Sequence, residues 1–83
     1  LEQNFPNPFN PATTITYTIP NSGYVRLAVF NLLGQEVALI FEGVQSADTY
    51  TLEFRNTELP SGIYFYRIQA PNFVETKKLT ILR

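Results

Sequence analysis

Residues 13–30, Thr13-Thr14-Ile15-Thr16-Tyr17-Thr18-Ile19-Pro20-Asn21-Ser22-Gly23-Tyr24-Val25-Arg26-Leu27-Ala28-Val29-Phe30, carry the pattern that decides the fold. Ile15, Tyr17 and Ile19 alternate with Thr14, Thr16 and Thr18; then Val25, Leu27 and Val29 alternate with Tyr24, Arg26 and Ala28. Period two in β-branched and aromatic residues marks a half-buried strand. Pro20-Asn21-Ser22-Gly23 between the two runs reads as a turn. Two strands and a turn thus fill the first third of the chain, and no helical stripe competes with them.

The same reading extends outward. Asn31-Leu32-Leu33-Gly34 is a tight turn, with Gly34 where a positive φ costs least. From Gln35 to Glu42, Val37, Leu39 and Phe41 are expected on one face against Glu36, Ala38 and Ile40, and Gly43 to Asp48 is expected to be a loop. Tyr50, Leu52 and Phe54 then alternate with Thr51, Glu53 and Arg55. After a turn over Asn56 to Gly62, the run Ile63 to Ala70 sends Tyr64, Tyr66 and Ile68 one way and Ile63, Phe65 and Arg67 the other. Pro71-Asn72 reverses the chain into a last strand, with Leu79 and Ile81 inward and Lys78 and Thr80 outward. Six or seven short strands with Gly/Pro/Asn turns predict an all-β, antiparallel β-sandwich, a small open barrel being the near alternative. Which strands pair does not follow from the alternation.

Composition narrows the function. Eighty-three residues make one domain at most, and at 45% hydrophobic and 16% charged the chain is not of disordered type. With a net charge of -1 and no basic cluster beyond Lys77-Lys78, a nucleic-acid groove is not expected. Cysteine and histidine are absent, which removes disulfides, zinc sites and the usual general base. Apolar runs such as Val37-Ala38-Leu39-Ile40-Phe41 are too short to span a bilayer, and no signal peptide opens the chain. A start at Leu1 reads as a piece of a longer protein.

Catalytic and metal constellations are not legible. The carboxylates Glu2, Glu36, Glu42, Asp48, Glu53, Glu58 and Glu75 are scattered over outer strand positions and loops. Serines 22, 46 and 61 sit in turns with no base to activate them. Asp48 with Glu42 or Glu53 is the nearest approach to a calcium set, short of the six to eight oxygens calcium takes. No enzyme activity, cofactor or metal is therefore expected. Of the rings, Tyr17, Tyr50, Tyr64, Tyr66, Phe54, Phe65 and Phe73 are assigned to the core and its ends, and Tyr24, Phe30, Phe5 and Phe9 to exposed positions.

Asn4-Phe5-Pro6-Asn7-Pro8-Phe9-Asn10-Pro11 precedes the first strand. Each proline fixes its own φ and extends the residue before it, so the stretch is stiff. Residues 1–12 are expected to form a lead-in that packs on the sandwich of residues 13–83, with Phe5 and Phe9 covering an open end or edge.

That opening, with Thr13-Thr14-Ile15 after it, resembles the start of the type A C-terminal sorting domain of type IX secretion. The similarity continues through Val25-Arg26-Leu27-Ala28-Val29-Phe30-Asn31-Leu32-Leu33-Gly34-Gln35-Glu36-Val37, through Leu59-Pro60-Ser61-Gly62-Ile63-Tyr64-Phe65-Tyr66-Arg67, and to Lys77-Lys78-Leu79-Thr80-Ile81-Leu82-Arg83. Four blocks in order cover essentially the whole chain. One departure is Gln45-Ser46-Ala47-Asp48-Thr49-Tyr50, where many relatives carry a glycine and a histidine.

The resemblance implies an immunoglobulin-like sandwich following a cargo domain in a larger parent chain. It would pass through the periplasm, engage the outer-membrane secretion machinery and a sortase-like peptidase, and release its cargo to the medium or cell surface, with the domain itself removable on export. The family's recognition positions map to Gly62, Tyr64, Phe65, Arg67, Lys77, Lys78 and Arg83, its N-terminal motif to Asn4, Pro6, Asn7, Pro8, Phe9, Asn10 and Pro11, and its turn glycine to Gly34. A basic last strand with an exposed edge would suit docking, and would also permit a weak homodimer. The alternatives are a structural accessory module of an extracellular enzyme and, behind it, a carbohydrate-binding module.

Overall fold

The computed structural model describes residues 1–8, 12–56 and 58–82. Phe9, Asn10, Pro11 and Arg83, all singled out above, lie outside the described residues. Six strands follow in chain order: β1 (Ala12–Ile19), β2 (Gly23–Phe30), β3 (Glu36–Gln45), β4 (Asp48–Arg55), β5 (Gly62–Ala70) and β6 (Phe73–Ile81). β1 and β4 form a two-stranded sheet, and the other four form a sheet in the order β3-β2-β5-β6, with every pairing antiparallel.

The alternation read from the sequence is what closes the two sheets on one another. Ile15, Tyr17 and Ile19 from β1 share one buried cluster with Val25, Leu27 and Val29 from β2, Tyr64, Tyr66 and Ile68 from β5, and Leu79 and Ile81 from β6. Tyr50, Leu52 and Phe54 of β4 pack against it from the same side as β1. Tyr17 stacks on its cross-strand partner Tyr50, ring centroids 5.5 Å apart, and its hydroxyl donates to Gln45 Oε1 of the opposite sheet at 2.8 Å. On the outer face, the threonines pair across the strands, Thr18 with Thr49 at 2.8 Å and Thr16 with Thr51 at 3.3 Å. At the corner between sheets, the Tyr64 hydroxyl donates to the Pro60 carbonyl oxygen at 2.7 Å. A tyrosine at the start of a strand bonding back to the corner before it is a device of immunoglobulin sandwiches.

The third strand departs from the expected alternation. Leu27 pairs with Phe41 but Ala28 pairs with Leu39, and Val29 pairs with Ala38 but Phe30 with Glu36. Two bulges therefore insert Ile40 and Val37 as extra residues, and each bulge resets which side of the sheet the next residue faces. As a result Val37, Ala38, Ile40 and Phe41 pack toward the core, while Leu39 is exposed. The loop expected from Gly43 to Asp48 is also shorter, because β2 keeps β3 paired as far as Gln45 and only Ser46 and Ala47 separate β3 from β4. Gly34, at φ 82, closes the β2–β3 turn in a conformation that favours glycine. Asn31 holds that turn, its Oδ1 accepting from the Leu33 and Gln35 amides at 2.9 and 3.0 Å.

Residues 2–7 lie along one side of the sandwich, though not through the Phe5 ring; Phe9, also expected to cover an edge, lies outside the described residues. Phe5 is 79% exposed. Its backbone, however, exchanges two hydrogen bonds with Thr14, at 3.0 and 2.8 Å, and the Glu2 amide donates to the Thr16 carbonyl at 2.9 Å. The segment thus lies as a short strand on the edge of β1 that β4 leaves open. Two of its side chains reach the neighbouring edge of the other sheet: Gln3 Nε2 donates to the Lys78 carbonyl at 2.7 Å, and Asn7 Oδ1 accepts from the Thr80 amide at 2.9 Å. Unpaired strand edges invite association, and here residues 2–7 occupy part of two of them.

Beneath this strap lies a buried polar cluster. Asn4 is 2% exposed; its Nδ2 donates to Thr13 Oγ1 at 2.9 Å and to the Pro6 carbonyl at 3.0 Å. The Tyr66 hydroxyl accepts from the Asn4 amide at 2.8 Å and donates to the Glu2 carbonyl at 2.7 Å. A core tyrosine on the four-stranded sheet therefore satisfies two backbone groups of the strap. The peptide bonds preceding Pro6 and Pro8 are cis.

Three outcomes follow. Tyr66→Phe leaves the Asn4 amide and Glu2 carbonyl without their partner and should lower stability by about 1–3 kcal/mol in urea unfolding. Phe5→Ala, at an exposed ring, should stay within about 0.5 kcal/mol of the parent. Burial also pushes the Tyr66 hydroxyl up to about 12. Unfolded tyrosines titrate near pH ~10, so the native state holds this proton more tightly. Its contribution is complete below the unfolded value and is lost as pH rises through about 12. Unfolding followed across alkaline pH should show that loss in the parent, and Tyr66→Phe should lack this component.

Candidate docking surface

The outer face of the four-stranded sheet gathers most of the chemistry left outside the core. Register places Phe30 beside Phe65 and Phe65 beside Lys78 in one row, and Ala28 beside Arg67 and Arg67 beside Thr76 in the next. The Arg67 guanidinium lies 4.6 Å from the centroid of the Phe30 ring, and its Nε donates to Thr76 Oγ1 at 3.4 Å. A planar cation over a ring is favourable and keeps its charge at the surface. No carboxylate bonds either Arg67 or Lys78 among the described residues.

Charge on the other half of the face is neutralised internally. Arg26 grips the Glu36 carboxylate with both Nη1 and Nη2, the latter at 2.7 Å, and its Nε meets Glu42 Oε2 at 3.3 Å. The forked hydrogen bonds hold the Glu36 carboxyl below the usual carboxylate range and push Arg26 further up. Glu42 also raises the pKa of the neighbouring Tyr24 hydroxyl, chiefly through a hydrogen bond. This triad was not legible beforehand, since it exists only once the bulged register of β3 is known. The available signal was an arginine at an outward position of β2 with acidic residues on the strand after it.

The recognition positions implied by the resemblance are distributed unevenly. Phe65, Arg67 and Lys78 come together on the outer face. Phe65 is half-buried there and does not fill the core, because its neighbours Tyr64 and Tyr66 take the inward positions. Tyr64 is buried, with its hydroxyl committed to the corner. Gly62 opens β5 at φ 157, where a Cβ would find room 3.8 Å from the Tyr64 ring, so the backbone conformation is what favours glycine. Lys77 and Lys78, adjacent in sequence, face opposite ways, Lys77 beside Tyr66 and Lys78 beside Phe65. Of the N-terminal motif, Asn4 is buried in the strap cluster, Asn7 bonds β6, and Pro6 and Pro8 are exposed. The last strand is an edge, yet its Lys78 carbonyl and Thr80 amide are occupied by the strap, so it is less open than expected.

Other chemistries find little support in this geometry. Among the described residues, no group of three or more His, Cys, Asp or Glu could hold a metal ion, and Asp48 is not brought together with Glu42 and Glu53. A hollow of about 100 Å³ between Val37, Ala38, Phe54, Arg55, Asn56, Glu58 and Leu59 is well below the ~300–1,000 Å³ of small-molecule sites. Among the described residues, exposed rings form no sugar-stacking row: Phe5 lies beside β1 of the two-stranded sheet, Tyr24 is on β2 of the other sheet, and Phe30 lies under Arg67.

No curated protein and no solved structure matches the chain significantly. A family model described as the secretion system C-terminal sorting domain matches residues 3–82, from the strap to the end of the last strand. That span includes every element of the sandwich and the whole outer face, and it implies an extracytoplasmic role in association with a secretion system. The chain belongs to the family of type IX secretion system C-terminal sorting domains.

Proposed function

We propose that this sorting domain directs a cargo attached before Leu1 across the outer membrane, and that Phe65, Arg67 and Lys78 form the part of it that the secretion machinery contacts. The observation that carries the reading is the family match over residues 3–82. A sorting domain acts by being recognised, so its role is non-enzymatic. The gathering of two cations without carboxylate partners and an aromatic row on one open face supports docking there. Gly62 and Tyr64 then serve by building the corner beneath that face, and Lys77 by the rim of the strap. Phe9, Asn10, Pro11 and Arg83 keep the roles the family pattern implies for them.

In this reading the cargo and domain cross the periplasm together, a sortase-like peptidase cuts between cargo and domain at the outer surface, and the cargo is secreted or held on the cell surface. Residues 1–12 act as the lead-in joining cargo to the body of residues 13–83. The outer edges of β3 and β4 leave room for a weak homodimer between domains in transit.

The test is a fluorescent cargo bearing an inner-membrane export signal and residues 1–83, expressed in a bacterium whose type IX system exports its own cargo. Truncating β6 would remove Leu79 and Ile81 from the core, so point variants are the cleaner comparison. The intact fusion should reach the surface or medium, and Arg67→Glu with Lys78→Glu should lower export roughly tenfold while the domain stays folded, a loss of about 1.4 kcal/mol in binding. Retention of a folded intact fusion in the periplasm would instead favour a structural accessory module.

A further inference from the structure

The β2–β3 turn holds two leucines away from the protein. Leu32 is 66% and Leu33 83% exposed, at positions where a turn is ordinarily polar. The turn is not loose: besides the two amides that Asn31 Oδ1 accepts, Asn31 Nδ2 donates to Gln35 Oε1 at 2.8 Å, and the Gly34 amide donates to the Asn31 carbonyl at 3.0 Å. Two apolar side chains on a rigid tip can be buried by a partner with little ordering cost.

Register locates this tip. Phe30, the last residue of β2, pairs with Phe65 near the start of β5, and Gly62 at that start pairs with Ile81 at the end of β6. The turn therefore leaves the sheet at the end where Ile63, 42% exposed, and Leu82, 53% exposed, also emerge. Four exposed apolar side chains at one end of one sheet are more than singly scattered exposure. Arg67, whose guanidinium lies over Phe30, and Lys78 adjoin the same end and form no ion pair among the described residues, whereas Arg26 is neutralised by Glu36 and Glu42.

We infer that Leu32, Leu33, Ile63 and Leu82 dock in an apolar groove of a partner protein whose rim carries carboxylates facing Arg67 and Lys78. This rests on the sorting reading, and it adds both an anchor and the chemistry of the receiving surface. The carboxylates follow from charge: among the described residues no carboxylate forms an ion pair with Arg67 or Lys78.

The same face supplies its own control. Val44 and Val74 are exposed to 78% and 62% at outward positions toward the opposite end. In the export assay, Leu32→Ser with Leu33→Ser should keep the melting temperature of the parent and lose at least about tenfold in export. Val44→Ser with Val74→Ser should be exported like the parent. If the unsubstituted fusion is exported and both pairs behave alike, the inference is overturned while the sorting reading stands. If the unsubstituted fusion is not exported, it is the sorting reading that fails. A photo-crosslinking residue at Leu33 in exporting cells then reads the partner. Attachment to a protein segment rich in aliphatic residues and Asp or Glu supports the inference. Attachment to lipid, to a second copy of the domain, or to a segment without carboxylates overturns it.

Discussion

The Tyr66 hydroxyl, accepting from the Asn4 amide and donating to the Glu2 carbonyl, ties the strap to the sandwich. Tyr66 belongs to the four-stranded sheet, whereas the strap backbone pairs with β1 of the two-stranded sheet. One phenol therefore links both sheets through the segment lying between their edges. Without it, the buried Asn4 amide and the part-buried Glu2 carbonyl of the strap would lose this partner, and Asn4 would lose its reason to be inside. A domain this small buries a modest share of its surface, so an ordered polar cluster at its open side has consequences for the whole.

The strap is fixed to the body of the domain by hydrogen bonds rather than by rings. A lead-in that packed through exposed rings would be a tether loosely laid on the surface. Instead residues 2–7 bond the edges of β1 and β6, so the N-terminal segment is set relative to the last strand and the outer face.

Much of the fold was legible because most strands obey one period. In β1, β2, β4, β5 and β6 the residues read as inward form or flank the core, since a single buried face forces strict alternation. β3 escaped because its bulges at Val37 and Ile40 break the period, and nothing in Val37-Ala38-Leu39-Ile40-Phe41 distinguishes a bulged run from a straight one. The surface was only partly legible. Phe65, Arg67 and Lys78 could be named by resemblance, but their convergence and the separation of Lys77 from Lys78 needed the β5–β6 register. The Arg26 cluster and the strap's hydrogen bonds are contacts between residues far apart in the chain, for which alternation carries no information. The Phe5 ring is exposed, as its assignment among the exposed rings had it, and does not cover an edge; among the described residues of the motif, Asn4 is the one that is buried.

Hydrogen exchange at the Asn4, Phe5 and Thr14 amides, set against those of β2 and β5, reports directly on whether the strap is part of the fold. If it is an integral strand, these amides exchange through the same cooperative opening as the core, and Tyr66→Phe speeds all three. Exchange at the rate of an unstructured chain, in a domain whose β2 and β5 amides remain protected, would contradict that view and leave residues 1–7 a tether.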